Sequence, residues 1–332
     1  MRWLVLVLVL WAAALGAAST AQQPAPAARQ AARIRVAAAG PVAFVAAGGQ
    51  LAVGVGPQLQ FFDLNEPATP RDLVTVELAG RPLAIGASDR ATLVAVSRNA
   101  APDEMVVVAP DPYRRGEVGV VNSLQISDAV THILVSPDQT WAVALSRDGY
   151  SVLRLSALDA IESSALVHTG RPPAAGALLN DALLLAQTDE PRIDRLPLQL
   201  SPATLPDGLA LEVDAPVAAL AITADGTLAA AALEDDTLVL FDPTEMRKIA
   251  DLTLEDGPAS ALLLAETAER RVLIVQIANR PAVMLLDVSD PQNIGLPGSA
   301  GLGANSVVTA TAASGDWLAL AGSDEIRLFQ VE

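Results

Sequence analysis

The chain has 332 residues, of which 52% are hydrophobic and 18% are charged, and this composition suffices for a large buried core. Its 38 acidic residues outnumber its 21 lysines and arginines, and the net charge of −17 opposes binding to nucleic acid and to anionic lipid headgroups. Cysteine is absent, which excludes disulfides, thiolate nucleophiles and thiolate metal sites.

The first predicted element is the apolar amino terminus, MRWLVLVLVLWAAALGAASTAQQ. This segment has one arginine, then an apolar run shorter than the roughly 20 residues of a membrane span, and then small residues. These three features together are typical of a secretory signal peptide. We therefore expect residues 1–21 to be removed by cleavage near Ala21, with a retained membrane anchor as the alternative. Cleavage predicts a periplasmic or extracellular protein without stable membrane insertion.

A short segment rich in Pro, Ala and Gln follows at residues 22–31, and its composition predicts a flexible spacer. The rest of the chain, residues 32–332, repeats a pattern of short apolar runs. One run of each unit starts near residues 40, 80, 128, 170, 214, 256 and 305, as in GRPLAIGA and DAPVAALAI. Successive starts are 40 to 49 residues apart.

Two further runs recur in the units. The second appears as LAVGVG, TLVAVS, WAVALS, LAAAAL and WLALAG, and the third as LQFFD, VLRLS, LVLFD, VMLLD and IRLFQ. Runs of this length bounded by turn residues are typical of β-strands. Three or four short strands repeated at this period predict a β-propeller.

We place seven blades at residues 40–78, 79–126, 127–169, 170–213, 214–254, 255–301 and 302–332. The last unit has room for three strands, so ARIRVAAA at residues 32–39 is expected to supply its outer strand and close the ring. The fourth unit is the least regular, which leaves six or eight blades as alternatives. The predicted fold is all-β, a single seven-bladed propeller.

The segments VSPDQTWAVALSRDGYSVLRLSALD and ITADGTLAAAALEDDTLVLFD resemble bacterial exported propeller repeats of the YVTN and WD40-like type. VMLLDVSDPQNI and FFDLNEPATP resemble the LVIVD variant. There is no regular Gly-His or Trp-Asp pair, so membership of the eukaryotic WD40 group is not supported. The resemblance implies a fold and no single reaction.

In propellers of this kind, ligands and partners usually bind at the face where the innermost strands start. The candidate partner-binding rim at this face consists of Arg81, Asp128, Arg147, Arg171, Asp214, Asp256 and Arg280. Arg81 and Arg171 each stand in a Gly-Arg-Pro tripeptide at matching places in blades 2 and 4, and two guanidinium groups can clamp a carboxylate. The alternative is that they balance rim aspartates in water, where such pairs contribute little.

Two carboxylate groups, Asp103-Glu104 and Glu234-Asp235-Asp236, are candidate calcium ligands, since calcium takes about six to eight oxygens. Neither has the spacing of a calcium loop, and a solvated turn is the simpler interpretation. We expect no cofactor, with calcium as the alternative.

Several other residues have a structural interpretation. Phe62, Phe241 and Phe329 share one column of the repeat and are predicted to be core residues. Asp63, Asp242 and Asp287 each end a third run, where an aspartate accepts backbone hydrogen bonds from a turn.

Chemistry-bearing motifs are scarce. The chain has two histidines, His132 and His168, and neither has the spacing of a zinc site or proton relay. No serine stands in Gly-x-Ser-x-Gly, and no glycine-rich phosphate loop follows a strand.

These observations favour an exported, non-enzymatic scaffold that binds a protein or peptide of the cell envelope through its top face and channel rim. The alternative, which the resemblance implies, is a propeller hydrolase of the lactonase sort or a sugar dehydrogenase, with a metal or cofactor at the central channel.

Overall fold

The structure, a computed structural model, describes residues 25–37, 39–45, 48–97, 103–110, 117–126, 129–158, 160–200, 208–267, 269–295, 297–303 and 306–332. The regular elements in these ranges are β-strands. Within the same ranges no helix has the length and apolar character needed to cross a membrane. The predicted signal peptide, residues 1–21, lies outside the described residues.

The strands form seven antiparallel sheets, which we call blades 1 to 7 in chain order. The first strand, β1 (Ala28–Arg35), belongs to the last blade. Blade 1 contains β2 (Ala39–Val45), β3 (Gln50–Val55), β4 (Gln58–Asp63) and β5 (Arg71–Glu77). Blade 2 contains β6 (Arg81–Ala87), β7 (Thr92–Ser97), β8 (Glu104–Pro110) and β9 (Val118–Gln125). Blade 3 contains β10 (Val130–Val135), β11 (Trp141–Ser146), β12 (Gly149–Arg154) and an outer strand in two pieces, β13 (Glu162–Ser163) and β14 (Val167–His168).

The remaining four blades have four strands each. Blade 4 contains β15 (Pro173–Leu178), β16 (Ala182–Gln187), β17 (Arg192–Pro197) and β18 (Leu209–Glu212). Blade 5 contains β19 (Val217–Ile222), β20 (Ala229–Leu233), β21 (Thr237–Asp242) and β22 (Arg247–Thr253). Blade 6 contains β23 (Ala259–Glu266), β24 (Arg271–Ile277), β25 (Ala282–Asp287) and β26 (Gly298–Gly301). Blade 7 contains β27 (Ala310–Ser314), β28 (Trp317–Ala321), β29 (Glu325–Val331) and β1.

The blades form a closed ring around a central channel. Each innermost strand contacts the innermost strands of both neighbouring blades, including β27 with β2 across the junction of the chain ends. The prediction of a seven-bladed propeller is therefore confirmed, and the alternatives of six or eight blades are wrong.

The ring is closed by the amino-terminal strand, as predicted. β1 pairs antiparallel with β29, from Ala28 opposite Val331 to Arg35 opposite Glu325. The strand starts earlier than expected, because Ala28, Arg29 and Gln30, which the sequence assigned to the spacer, already pair with β29. Pairing covers the edge that β29 would otherwise expose to other chains.

The core lies between the blades. Seven clusters of buried apolar residues are described, and each fills the space between two neighbouring blades. The second strands contribute many alanines, and every residue of β20 is buried. Small side chains let neighbouring sheets approach closely and pack without voids. Phe62, Phe241 and Phe329 are buried, which confirms their prediction as core residues.

The predicted column of turn aspartates is confirmed as well. Asp63 Oδ1 accepts a hydrogen bond from the Asn65 amide at 2.9 Å, and Asp242 Oδ1 accepts one from Thr244 at 2.8 Å. The amide of Ser289 donates to Asp287 Oδ1 at 3.0 Å. These carboxylates stabilise the turn that leads to the outermost strand.

Six innermost strands, all except β27, carry a bulge or register shift near their start. A bulge bends a strand and redirects the adjacent side chains. The residues that border the upper end of the channel are therefore placed by irregular backbone, which the apolar pattern does not predict.

Candidate functional site

The upper face, defined as the face where the innermost strands start, carries the candidate rim. Six of the seven rim residues are described, and all six are exposed: Arg81, Arg147, Arg171, Asp214, Asp256 and Arg280. Asp128 lies outside the described residues. The blades thus bring these side chains to one face, although they are spread over nearly 200 residues of sequence.

Four of these rim residues form ion pairs. Arg280 Nη2 lies 3.6 Å from Asp256 Oδ1, within blade 6. Arg171 Nε lies 3.3 Å from an oxygen of Glu190. Asp214 Oδ2 lies 3.8 Å from the Nζ of Lys248, on the outermost strand of blade 5. The rim side chains of all three pairs are more than half exposed, so the pairs contribute little to stability and can exchange with a partner.

Arg81 and Arg147 differ from these residues, because neither forms an ion pair with a described residue. Arg81 begins the innermost strand of blade 2, and Arg147 lies in the turn between β11 and β12. Both guanidinium groups are therefore available to an incoming carboxylate.

The prediction that Arg81 and Arg171 hold matching places is wrong by one residue. The innermost strands of blades 2 and 4 bulge at the same point, after Pro82 and after Pro173. Arg81 directly precedes its proline, whereas Pro172 separates Arg171 from Pro173. The doubled proline in GRPP shifts the register, so the two arginines do not form a symmetric pair.

Charge is unevenly distributed over the upper face. In blades 5 and 6, the described exposed charged residues of this face are mainly acidic. They comprise one arginine, Arg280, and five acidic residues, Asp214, Glu234, Asp235, Glu255 and Asp256. Blades 2 to 4 carry more nearly balanced charges, including Arg81, Arg147 and Arg171 against Asp148 and Asp189. A partner at this face would therefore meet an acidic sector beside a mixed one.

A groove of about 460 Å³ lies on blade 6 next to the Arg280–Asp256 pair. Ile277, Val283 and Met284 contribute to its lining. The repeat pattern did not reveal this groove, whose lining residues all belong to blade 6.

The two carboxylate groups considered for calcium have other contacts. Asp103 is buried, and its Oδ2 accepts a hydrogen bond from the Val130 amide at 3.1 Å. Asp235 Oδ1 accepts one from Thr237 at 3.2 Å, as in a solvated turn. Among the residues that the structure describes, no three His, Cys, Asp or Glu side chains gather as a metal site.

His132 lies on the innermost strand of blade 3, directly after its bulge. Its side chain reaches solvent, and its Nδ1 lies 3.1 Å from Thr131 Oγ1. The surrounding protein partly desolvates the imidazole, which lowers the pKa of His132 below 6.5. His132 is therefore predominantly neutral at neutral pH.

The lower mouth, where the innermost strands end, opens a second cavity of about 440 Å³. Phe44, Val135 and Leu264 are among its apolar lining residues, and Glu266 lies at its border. The sequence patterns predicted a site on the upper face and did not predict this cavity. The available signal was the acidic residue that ends the otherwise apolar run ASALLLAE.

Comparison with protein-family models finds no match to this chain, and comparison with curated proteins finds none either.

Proposed function

We propose that this chain is an exported, non-enzymatic propeller that binds a protein or peptide partner of the cell envelope through its upper face and channel rim. The observation that carries the proposal is the exposure of all six described rim residues on one face, with Arg81 and Arg147 unpaired among described residues. The ring holds these groups at fixed separations. Binding therefore needs to order the rim side chains themselves but little else in the chain.

The expected partner surface carries carboxylates opposite Arg81 and Arg147. Arginine favours such contacts, because its planar guanidinium group can donate two parallel hydrogen bonds to one carboxylate. The acidic sector of blades 5 and 6 would in turn favour basic side chains and repel acidic ones.

The test uses the intact chain as bait in its native envelope fraction, with quantitative mass spectrometry of bound polypeptides. The variant is Arg81→Glu combined with Arg147→Glu, and the control is Arg247→Glu, which reverses an exposed arginine at the start of β22, near the lower face. A polypeptide retained by the wild type and the control, but depleted about tenfold or more with the double variant, supports the proposal. The absence of any reproducible partner, or equal retention by the double variant, contradicts it.

Native mass spectrometry and elemental analysis of the protein from its own envelope test the non-enzymatic part. We expect the mass of a chain cleaved near Ala21, alone or with a second polypeptide. A stoichiometric metal or small molecule would instead support an enzyme with a ligand at the channel.

A further inference from the structure

The cavity at the lower mouth lies on the opposite face from the proposed partner site. Its residues come from the ends of innermost strands and from the following turns of several blades. A volume of about 440 Å³ falls in the range of small-molecule sites, roughly 300–1,000 Å³. The cavity is therefore large enough to hold a small organic group.

The charged side chains among the described lining residues are Asp89 and Glu266, which are both acidic. No lysine or arginine is among those described lining residues. An anionic ligand would thus lack a cation in the cavity wall, whereas a cationic ligand would meet opposite charge.

Neighbouring groups offset the negative charge of Glu266 only in part. Its Oε1 is buried and accepts no hydrogen bond from a residue that the structure describes, and it lies 3.6 Å from Arg271 Nε. That arginine also binds Asp225 of the neighbouring blade, with Nη2 at 2.6 Å from Oδ2. One guanidinium group is therefore shared by two carboxylates, and the three side chains together carry a net negative charge.

Burial, and then the nearby charge of Asp225, raises the pKa of Glu266, and these two effects outweigh the opposite effect of Arg271. A partly buried carboxylate without a hydrogen-bond donor costs free energy in the folded protein. A cation in the cavity would offset the net negative charge of Glu266, Asp225 and Arg271.

The rest of the wall suits an apolar chain. Phe44, Ala87, Val135, Leu264 and Ala313 line the cavity with methyl groups and one aromatic ring. Apolar surface favours burial of methylene groups, and the face of a phenyl ring also attracts a cation.

We propose that the lower mouth binds a primary alkylammonium group, with Glu266 accepting its N–H groups and the apolar wall contacting its methylene chain. Two sources carry this chemistry, a free alkylamine and the side chain of a lysine in a peptide. The site is independent of the partner surface on the upper face.

The test measures binding of hexylammonium to the intact chain by isothermal titration calorimetry at neutral pH. Hexanol and hexanoate have the same chain without the positive charge and serve as ligand controls. Nα-acetyl-lysine amide, whose side-chain amine is free, and a short lysine-containing peptide distinguish the peptide source from the free amine. We expect saturable hexylammonium binding, with hexanol and hexanoate binding at least about tenfold more weakly.

Glu266→Gln should weaken hexylammonium binding about tenfold or more, because it removes the charge and keeps the shape. Glu269→Gln is the matched control, since Glu269 is exposed near the same face and does not line the cavity. Ala313→Leu should fill the cavity and weaken binding of every ligand, with thermal unfolding used to verify that the variant folds. Equal binding to wild type and Glu266→Gln, or no saturable binding of any alkylammonium probe, would overturn the proposal.

Discussion

A single aspartate organises the turn between the first two strands of blade 3. Asp138 accepts hydrogen bonds from Ser136 Oγ at 2.6 Å, from the Thr140 amide at 3.1 Å and from Thr140 Oγ1 at 2.8 Å. Blade 5 repeats the arrangement around Asp225. The likeness of SPDQT to TADGT in the sequence thus reflects the same hydrogen-bonded turn.

The substitution Asp138→Ala should lower the free energy of unfolding by about 1–2 kcal/mol, because the turn loses several hydrogen bonds. Urea denaturation followed by circular dichroism measures the change. Asp148→Ala is the control, an exposed aspartate with no hydrogen bond to a described residue, and should change stability by less than about 0.5 kcal/mol. Equal losses in the two variants would contradict the role of the turn.

The same turn predicts a dependence on pH. Desolvation tends to raise the pKa of Asp138, but the hydrogen bonds from Ser136 and Thr140 outweigh it and hold the pKa below 3.8. The ionised form is therefore favoured in the folded state, and its stabilisation is present above the unfolded pKa and lost as pH falls through the folded value. The stability difference between wild type and Asp138→Ala should shrink below pH 3.8. A difference that stays constant with pH would contradict this prediction.

His132 gives a second prediction at this scale. Because its folded pKa is below 6.5, the unfolded chain binds more protons near that pH, and the contribution of His132 to stability falls as pH decreases through 6.5. His132→Gln should therefore lose less stability than the wild type between about pH 7 and pH 5. Denaturant titrations at several pH values measure this, and NMR of the imidazole resonances gives the pKa directly. A measured pKa above 6.5 would be inconsistent with desolvation.

Among the elements, β1 is held in the last blade by a charged cluster that the repeat pattern did not predict. Glu325 at the start of β29 is buried. Its Oε1 accepts a hydrogen bond from Arg327 Nε at 3.0 Å and forms an ion pair with Nη2 of the same arginine at 2.9 Å. Arg33 of β1 contacts the other carboxylate oxygen. The charged cluster thus joins the amino-terminal strand to the carboxy-terminal strand.

Glu325→Gln should destabilise the protein by about 2 kcal/mol, less than the roughly 3–5 kcal/mol of a fully buried pair, because both arginines retain contact with solvent. Amide hydrogen exchange should show the loss first in β1. Glu332→Gln removes an exposed pair with Arg29 and should cost less than about 0.5 kcal/mol. A stability change in Glu325→Gln no larger than that control would show that the cluster does not hold the strand.

For the whole molecule, closure of the ring depends on β1. Deleting residues 1–35 should expose the edge of β29 and remove Ala32 and Ile34 from the core between blades 7 and 1. We expect self-association or aggregation, measured by size-exclusion chromatography with light scattering. Deleting residues 1–24 leaves β1 intact and should preserve a monodisperse protein. A monomeric 1–35 deletion with unchanged stability would contradict the role of β1 in closure.

The repeat itself predicted the fold well. Strand length and turn residues can be read within each unit of the sequence, because they depend on local chemistry. The period of 40 to 49 residues then follows from comparing the units. The columns of Phe62, Phe241 and Phe329 and of Asp63, Asp242 and Asp287 were predicted for the same reason, since every copy meets the same neighbours.

The positions of the candidate site residues were harder to predict from the sequence. One inserted proline in GRPP shifts Arg171 relative to Arg81, and only the strand register shows the shift. The lower cavity depends on the ends of strands from several blades. The electrostatic environment of Glu266 depends on Arg271 of the same blade and on Asp225 across a blade interface. Local patterns carry the architecture because each blade repeats it, whereas the sites arise between blades, where distances are set by tertiary packing.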